Sequence, residues 1–170
     1  MYTRNVKSQL AAASTASMSA QTIMTNGTGN MFVGGEGAVS ISNITNDFLC
    51  AGGDANITMI NKGDNSKIQG GSAGNYIINV SSNTWIQGSD DTDVVFSIGP
   101  DCEVNTLGGN DRISADGSTT KVDAGEGDDI VTGVVSGLRY ADLKKLDVIA
   151  LMNRILASSI PNLDLEEIEE

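Results

Sequence analysis

The chain has no histidine among its 170 residues. That removes the commonest general base, the usual nitrogen ligand for zinc and the side chain that titrates near neutral pH. Aromatic residues make up only 4%, so a core built around large rings is not available. A narrow core of Ile and Val is the alternative. The two cysteines, Cys50 and Cys102, stand in no CxxC or similar metal pattern. No stretch approaches the roughly 20 apolar residues needed to span a membrane. The N-terminal MYTRNVKSQLAAASTASMSAQ lacks the apolar segment of a cleaved secretory signal, so export is expected to proceed without one. Basic residues are scarce: 10 Lys and Arg against 22 Asp and Glu leave a net charge of -12. Such a surface cannot neutralise phosphates, which excludes a nucleic-acid partner; it is compatible with a cation.

What the chain has in abundance is periodicity. Every ninth residue from 23 to 131 is apolar: Ile23, Phe32, Ile41, Cys50, Met59, Ile68, Ile77, Ile86, Val95, Val104, Ile113, Val122 and Val131. Only 39% of residues are apolar, so thirteen in register without an insertion or deletion is not a chance pattern. A longer period of eighteen runs through the loops. Gly34, Gly52, Gly70 and Gly88 form one column; Gly35, Gly53, Gly71 and Gly125 form the next, interrupted by Ser89 and Leu107. A third column reads Val39, Ile57, Asn75, Asp93, Asp111 and Asp129.

Nine residues suffice for a short strand and a tight turn. Two such half-turns close one eighteen-residue coil, and coils stack at the inter-strand spacing of about 4.8 Å. The expected fold is therefore all-β, a parallel β-roll or β-helix solenoid spanning residues 22–134. The apolar column points inward because successive strand residues alternate faces. Glycines are expected where the turns need positive φ. Asn43, Asn61, Asn79, Ser97, Ala115 and Gly133, two places after the apolar column, also face inward, and stacked asparagines there can satisfy one another. A β-sandwich is the competing fold, but hairpins rarely keep a strict period.

The flanks differ. Residues 1–21 are Ala/Ser-rich, either a helix over the first coil or a disordered segment. In 135–170, YADLKKLDVIALMNRIL places Leu143, Leu146, Ile149, Met152 and Ile155 or Leu156 at helical spacing. An amphipathic helix capping the open end of the last coil is expected, followed by an acidic tail.

The unit G-G-x-G-x-D-x-U-x, with U apolar, is the signature of RTX (hemolysin-type) calcium-binding repeats. Residues 124–132, AGEGDDIVT, resemble it at every defined position but the first. Residues 106–114 keep Gly109, Asp111 and Ile113; residues 88–96 keep Gly88, Asp93 and Val95. Residues 70–78 carry Asn75 in place of Asp, and the two earlier units carry Val39 and Ile57. The strict register also resembles eighteen-residue bacterial surface or secreted repeats. The resemblance implies Ca²⁺ in the turns of one edge, held by oxygen from carboxylates and turn carbonyls. Carried over to this chain, the metal residues are Asp93, Asp111, Asp129, Asn75, Gly109 and Gly127. The opposite edge has Phe48, Ser66, Thr84, Cys102 and Thr120 at the corresponding place, none acidic. Because Asp is favoured in turns with or without metal, a metal-free solenoid is the competing reading.

The resemblance implies a non-enzymatic calcium-binding repeat module of a secreted or surface-associated bacterial protein. The alternative is a structural or adhesive spacer in a fibre, virion or cell surface, joined to a homo-oligomer or protein partner through its terminal segments. The acidic residues sit on turns and form no glycosidase-like pair. The outward column Ser40, Thr58, Tyr76, Val94, Arg112, Ile130 is too mixed for ice binding. Cys50 and Cys102, about three coils apart, are too distant for a disulfide. Trp85, between Lys67 and Glu103 in its column, is expected to face outward.

Overall fold

In the computed structural model the described residues are 21–25, 29–116, 119–133 and 139–159, with 21–25 and 156–159 described by backbone alone. The Ala/Ser-rich segment and the acidic tail therefore lie outside the described residues.

Thirteen strands follow one another among the described residues. The odd ones are β1 (Gln21–Thr25), β3 (Val39–Asn43), β5 (Ile57–Asn61), β7 (Tyr76–Asn79), β9 (Val94–Ile98), β11 (Arg112–Asp116) and β13 (Ile130–Gly133). The even ones are β2 (Met31–Val33), β4 (Leu49–Ala51), β6 (Lys67–Gln69), β8 (Trp85–Ser89), β10 (Glu103–Leu107) and β12 (Lys121–Asp123). Odd strands form one seven-stranded sheet and even strands a six-stranded sheet, each in chain order. All pairs are parallel and shifted by eighteen residues, as in Ile41 with Met59 and Ile68 with Ile86. The fold is a two-sheet parallel β-solenoid of eighteen-residue coils.

The apolar column is its central core. Ile41, Met59, Ile77, Val95 and Ile113 from odd strands meet Phe32, Cys50, Ile68, Ile86 and Val104 from even ones, all buried. Each such side chain contributes about 1.5–3 kcal/mol of burial free energy. The column weakens at its C-terminal end, where Val122 is half-buried and Val131 is 52% exposed.

One edge of the interior carries the asparagine ladder. Asn43 Nδ2 donates to Asn61 Oδ1 at 2.6 Å, and Asn61 Nδ2 to Asn79 Oδ1 at 2.8 Å. The ladder ends on Ser97 Oγ, 3.3 Å from Asn79 Nδ2. Thr45 and Ser81 hydroxyls donate to Asn43 and Asn79 Oδ1, so these buried amides are met from the side as well. The turns on this edge share a left-handed residue. Gly29, Asp47, Asn65, Asn83 and Asp101, spaced by eighteen, have φ between 50° and 66°. Gly, Asn and Asp tolerate that region best, so this column is itself a sequence signal.

The glycine pairs serve a different purpose from the one expected. Among the described glycines only Gly29, Gly109, Gly125 and Gly127 have positive φ. The pairs at 52/53 and 70/71 are instead required by close approach: a Cβ on Gly52 would lie 2.3 Å from Gly71 N. A Cβ on Gly53 or Gly71 would likewise run into the backbone of the preceding turn, and one on Gly70 into the Asn75 side chain.

The C-terminal segment corrects the expectation in two respects. Among its described residues it forms two helices, α1 (Tyr140–Leu143) and α2 (Val148–Ser159). Asp147 causes the break: its Oδ1 accepts the Ala150 N–H at 2.8 Å, an N-cap that starts a new helix. The phase resets, so Val148, Leu151, Met152 and Ile155 face inward while Ile149 is 74% exposed. The pair also does not cover the last coil. It packs on the outer face of the odd sheet, over Ile60, Ile78, Val80 and Ile98 with Tyr76 and Phe96 alongside. Ile130 in β13 is 52% exposed. Polar contacts hold the helices in place: Lys144 Nζ lies 2.7 Å from Asp64 Oδ1, Tyr140 Oη donates to the same oxygen at 3.2 Å, and Lys62 Nζ donates to Leu146 O.

Candidate functional site

The acidic column occupies the other edge, where each even strand turns into the next odd one. Asn75, Asp93, Asp111 and Asp129 each stand one residue before a strand begins. There a backbone N–H leaves the sheet ladder, and each side chain caps the one a coil earlier. Asn75 Oδ1 accepts from Ile57 N at 3.0 Å, Asp93 Oδ1 from Asn75 N at 2.6 Å, Asp111 Oδ1 from Asp93 N at 2.8 Å, and Asp129 Oδ1 from Asp111 N at 2.9 Å. One oxygen of every member is thereby used to stack the coils. The eighteen-residue register brings all four predicted side chains into one line, buried at Asn75, Asp93 and Asp111 and half-buried at Asp129.

The second polar atom of each residue has a different fate. Asn75 Nδ2 donates to Gly71 O at 3.1 Å and to Asp93 Oδ1 at 2.8 Å. Asp93 Oδ2 accepts from Ser89 N at 2.7 Å, with Ser89 Oγ also in reach. Asp111 Oδ2 is buried and, among the described residues, has no hydrogen-bond partner, although Asp111 is 0% exposed. Asp129 is half-buried in the last coil.

Burial pushes the Asp93 carboxyl above the ordinary carboxylate range. The N–H groups of Ser89 and Asn75 and the Asn75 amide work against that, and the neighbouring Asp111 charge adds to it. A raised folded pKa means that this group favours the fold more as pH falls through that value.

Gly109 and Gly127 shape the turns beside this line. Their φ values are 116° and 138°, and a Cβ on Gly127 would lie 1.6 Å from Gly109 O. Only glycine permits the close contact. The turns are linked by Gly109 N–H to Glu126 O at 3.0 Å and Glu126 N–H to Leu107 O at 2.8 Å. Leu107 itself sits at φ 72°, a left-handed residue at the place where Gly125 stands one coil later with φ 81°.

The fit to a metal follows from these donors. Among the described residues no group of three or more Asp, Glu or Cys side chains gathers as a ready metal cage. A cation on this edge would therefore draw on carbonyl oxygen as well as carboxylate. The donors are all oxygen, which suits a hard cation such as Ca²⁺ and not a thiolate-seeking metal. Asn75 is met by protein donors and acceptors and Asp93 by protein donors, and the place with an unmet charge is Asp111. Within the six-residue set, the arrangement therefore favours the Asp111–Asp129 layer, bordered by Gly109 and Gly127.

Other sequence expectations have plain outcomes. Phe48, Ser66, Thr84 and Cys102 are buried on the asparagine edge, where Thr84 and Ser81 hydroxyls lie 2.6 Å apart. Cys50 and Cys102 are free and buried. Trp85 is half-buried on the outer face of the even sheet, paired with Lys67 and Glu103. Ile60, Ile78 and Phe96 form an outward apolar column spaced by eighteen, a signal for lateral helix packing that inward-column reasoning does not register. No helix among the described residues is long and apolar enough to cross a membrane. Comparison with known family models, curated proteins and solved structures gives no match.

Proposed function

We propose that this chain is a non-enzymatic solenoid module whose C-terminal coils bind calcium, part of a secreted or surface-associated bacterial protein. The observation that carries the calcium reading is the buried, unpartnered Asp111 Oδ2. Two carboxylates about 4.8 Å apart repel by roughly 3 kcal/mol at an effective dielectric constant of about 20. An isolated buried carboxylate is costlier still unless protonated or paired. A hard cation beside Asp111 and Asp129 relieves both penalties. The charge distribution points the same way: residues 85–133 hold eleven acidic and two basic side chains, residues 29–84 four and two. The cellular setting rests on the RTX resemblance.

Melting followed by circular dichroism, in EDTA and in millimolar calcium, tests the reading. A ligand at about 100 times its Kd adds about 2.7 kcal/mol. That corresponds to a rise in Tm of about 5–10 °C for a chain of this size. Identical melts would remove the calcium role.

The second reading, a metal-free structural or adhesive spacer, is favoured by a specific observation. Every carboxylate of the column already caps a backbone N–H, a role that needs no metal. Identical melts together with a stable oligomer in light scattering would favour it.

A further inference from the structure

We infer that the chain assembles head to tail, the open end of β13 on one copy receiving β1 of the next, so that the odd sheet and its apolar column run on through a filament. The inference does not depend on whether the acidic line holds calcium.

The last coil is built like an internal one. Val131 stands in the inward column and Ile130 in the outward one, and each is 52% exposed. Solenoids are ordinarily closed by a capping unit with a polar outer face. The helices do not provide it here, because they pack on the flank over β5, β7 and β9. Among the described residues β13 and β1 have one neighbour each, β11 and β3. An edge strand of this kind offers a row of unpaired backbone groups.

The two edges match. In this sheet even-numbered residues direct their N–H to the preceding coil: Val94 to Asn75 O, Arg112 to Asp93 O and Ile130 to Asp111 O. Odd-numbered ones direct theirs forward, as Asp111 does to Asp129 Oδ1. In β13 the forward groups are those of Asp129 and Val131, and no described coil follows them. The next column place belongs to Asp147, which caps α2 instead. In β1 the backward groups are those of Thr22 and Met24, and no described coil precedes them. Stacked at the eighteen-residue register, Thr22 and Met24 donate to Asp129 O and Val131 O of the neighbouring copy. The same register sets Ile23, the ladder partner of Ile41, at the place above Val131. Gln21, the partner of Val39, then stands to Asp129 as Asp129 stands to Asp111, and its amide brings an acceptor oxygen to that place.

Charge selects the opposite end of a second copy as the occupant. Residues 119–133 carry four acidic side chains and one lysine, whereas residues 1–25 carry Arg4 and Lys7 and no acid. Two C-terminal ends repel each other, and a C-terminal end attracts an N-terminal one. A contact between unlike ends is heterologous, and in a straight stack it does not close, so it propagates.

Sedimentation velocity of the full chain over a range of concentrations, in EDTA and in calcium, tests the assembly. The mass is expected to rise with concentration past two protomers. Val131→Asp disables the C-terminal edge, and Thr22→Pro disables the N-terminal edge by removing an N–H. Each variant alone is expected to stay monomeric with the circular dichroism of the unsubstituted chain. An equimolar mixture of the two is expected to give a dimer and nothing larger, since V131D keeps a working β1 and T22P a working β13. Should T22P not fold, Arg4→Glu combined with Lys7→Glu takes its place and is expected to lower the mass in dilute salt. An unsubstituted chain that is monomeric at every concentration overturns the inference, as when its own terminal segment covers the end. Assembly that V131D or the N-terminal variant leaves intact overturns it too. A dimer that V131D abolishes and T22P keeps would mean two C-terminal ends joined, which also overturns it.

Discussion

At the scale of single residues, the two edges of the solenoid interior solve the same problem with opposite chemistry. Asn61 is a relay, donating to Asn79 Oδ1 and accepting from Asn43 Nδ2. Replacing it with Ala removes one hydrogen bond each from Asn43 Nδ2 and Asn79 Oδ1, and also the bonds to the Gly63 N–H and carbonyl, with each buried group that loses a partner worth about 1–3 kcal/mol. Asn61→Ala is expected to lower stability by about 3 kcal/mol in urea unfolding, with no dependence on calcium. On the other edge the Asp111→Asn substitution supplies a donor where the native chain has none. In EDTA it is expected to match or exceed the native Tm, and in calcium to show no further rise. A substitution that destabilises in both buffers would argue against an unmet charge at this place. At Gly127, alanine would meet Gly109 O in a strained φ of 138°. The expected outcome is loss of the last coil, seen as rapid amide exchange confined to β13.

At the scale of elements, the helices depend on the solenoid's flank. Leu151 is fully buried in the lateral cluster, whereas Ile149, two residues away, is exposed. Leu151→Ala is expected to cost about 2–5 kcal/mol of docking free energy, and Ile149→Ala less than about 0.5 kcal/mol. The first should reduce the helical signal in circular dichroism while strand amides keep their protection. Asp64 gives the same junction a pH dependence. Partial burial alone would raise its pKa, but the hydrogen bonds from Lys144 and Ser82 and the Lys144 charge outweigh this and hold it below the ordinary range. The contribution is therefore fully present above about pH 3.9 and lost as pH falls through the lower folded value. Asp64→Asn is expected to flatten the acid limb of helix undocking, at a cost of about 1–2 kcal/mol at neutral pH. An unchanged acid limb would show that another group controls it.

At the scale of the whole molecule, a solenoid behaves as a row of coils, each stabilised by its neighbours. In the coils flanked by β3 to β9 the central column is sealed, the asparagine ladder is continuous, and the helices add a second apolar layer. Toward β13 the ladder runs out into Ala115 and Gly133, the column becomes exposed and the acidic charge accumulates. Opening is expected to start at the C-terminal coils. Hydrogen exchange in EDTA should rank β11 and β13 below β5 and β7, with calcium narrowing the gap. The thiols report the opposite end of the scale. Cys50 is buried in the column, which pushes its pKa up to about 12. Its modification by a thiol reagent at neutral pH is expected to follow global unfolding and to ignore calcium-sensitive fraying.

The period of nine and the eighteen-residue columns determined the coil, the inward faces, the two polar edges and the line of Asp93, Asp111 and Asp129. Those features are repeated locally, so each copy restates the same strand-and-turn chemistry and the register follows without knowledge of distant contacts. Tertiary structure decided the rest. Where α1 and α2 lie depends on an outward apolar patch far earlier in the chain, from Ile60 to Ile98, and their phase depends on the Asp147 cap. Whether glycine supplies φ or clearance depends on how closely two turns stack, which a single turn does not encode. The chemistry of the acidic line also depends on neighbours one coil away. Asn75 and Ser89 satisfy their layers, and the layer of Asp111 has no such donor, because hydrogen-bond complementarity is a property of the stack rather than of the motif.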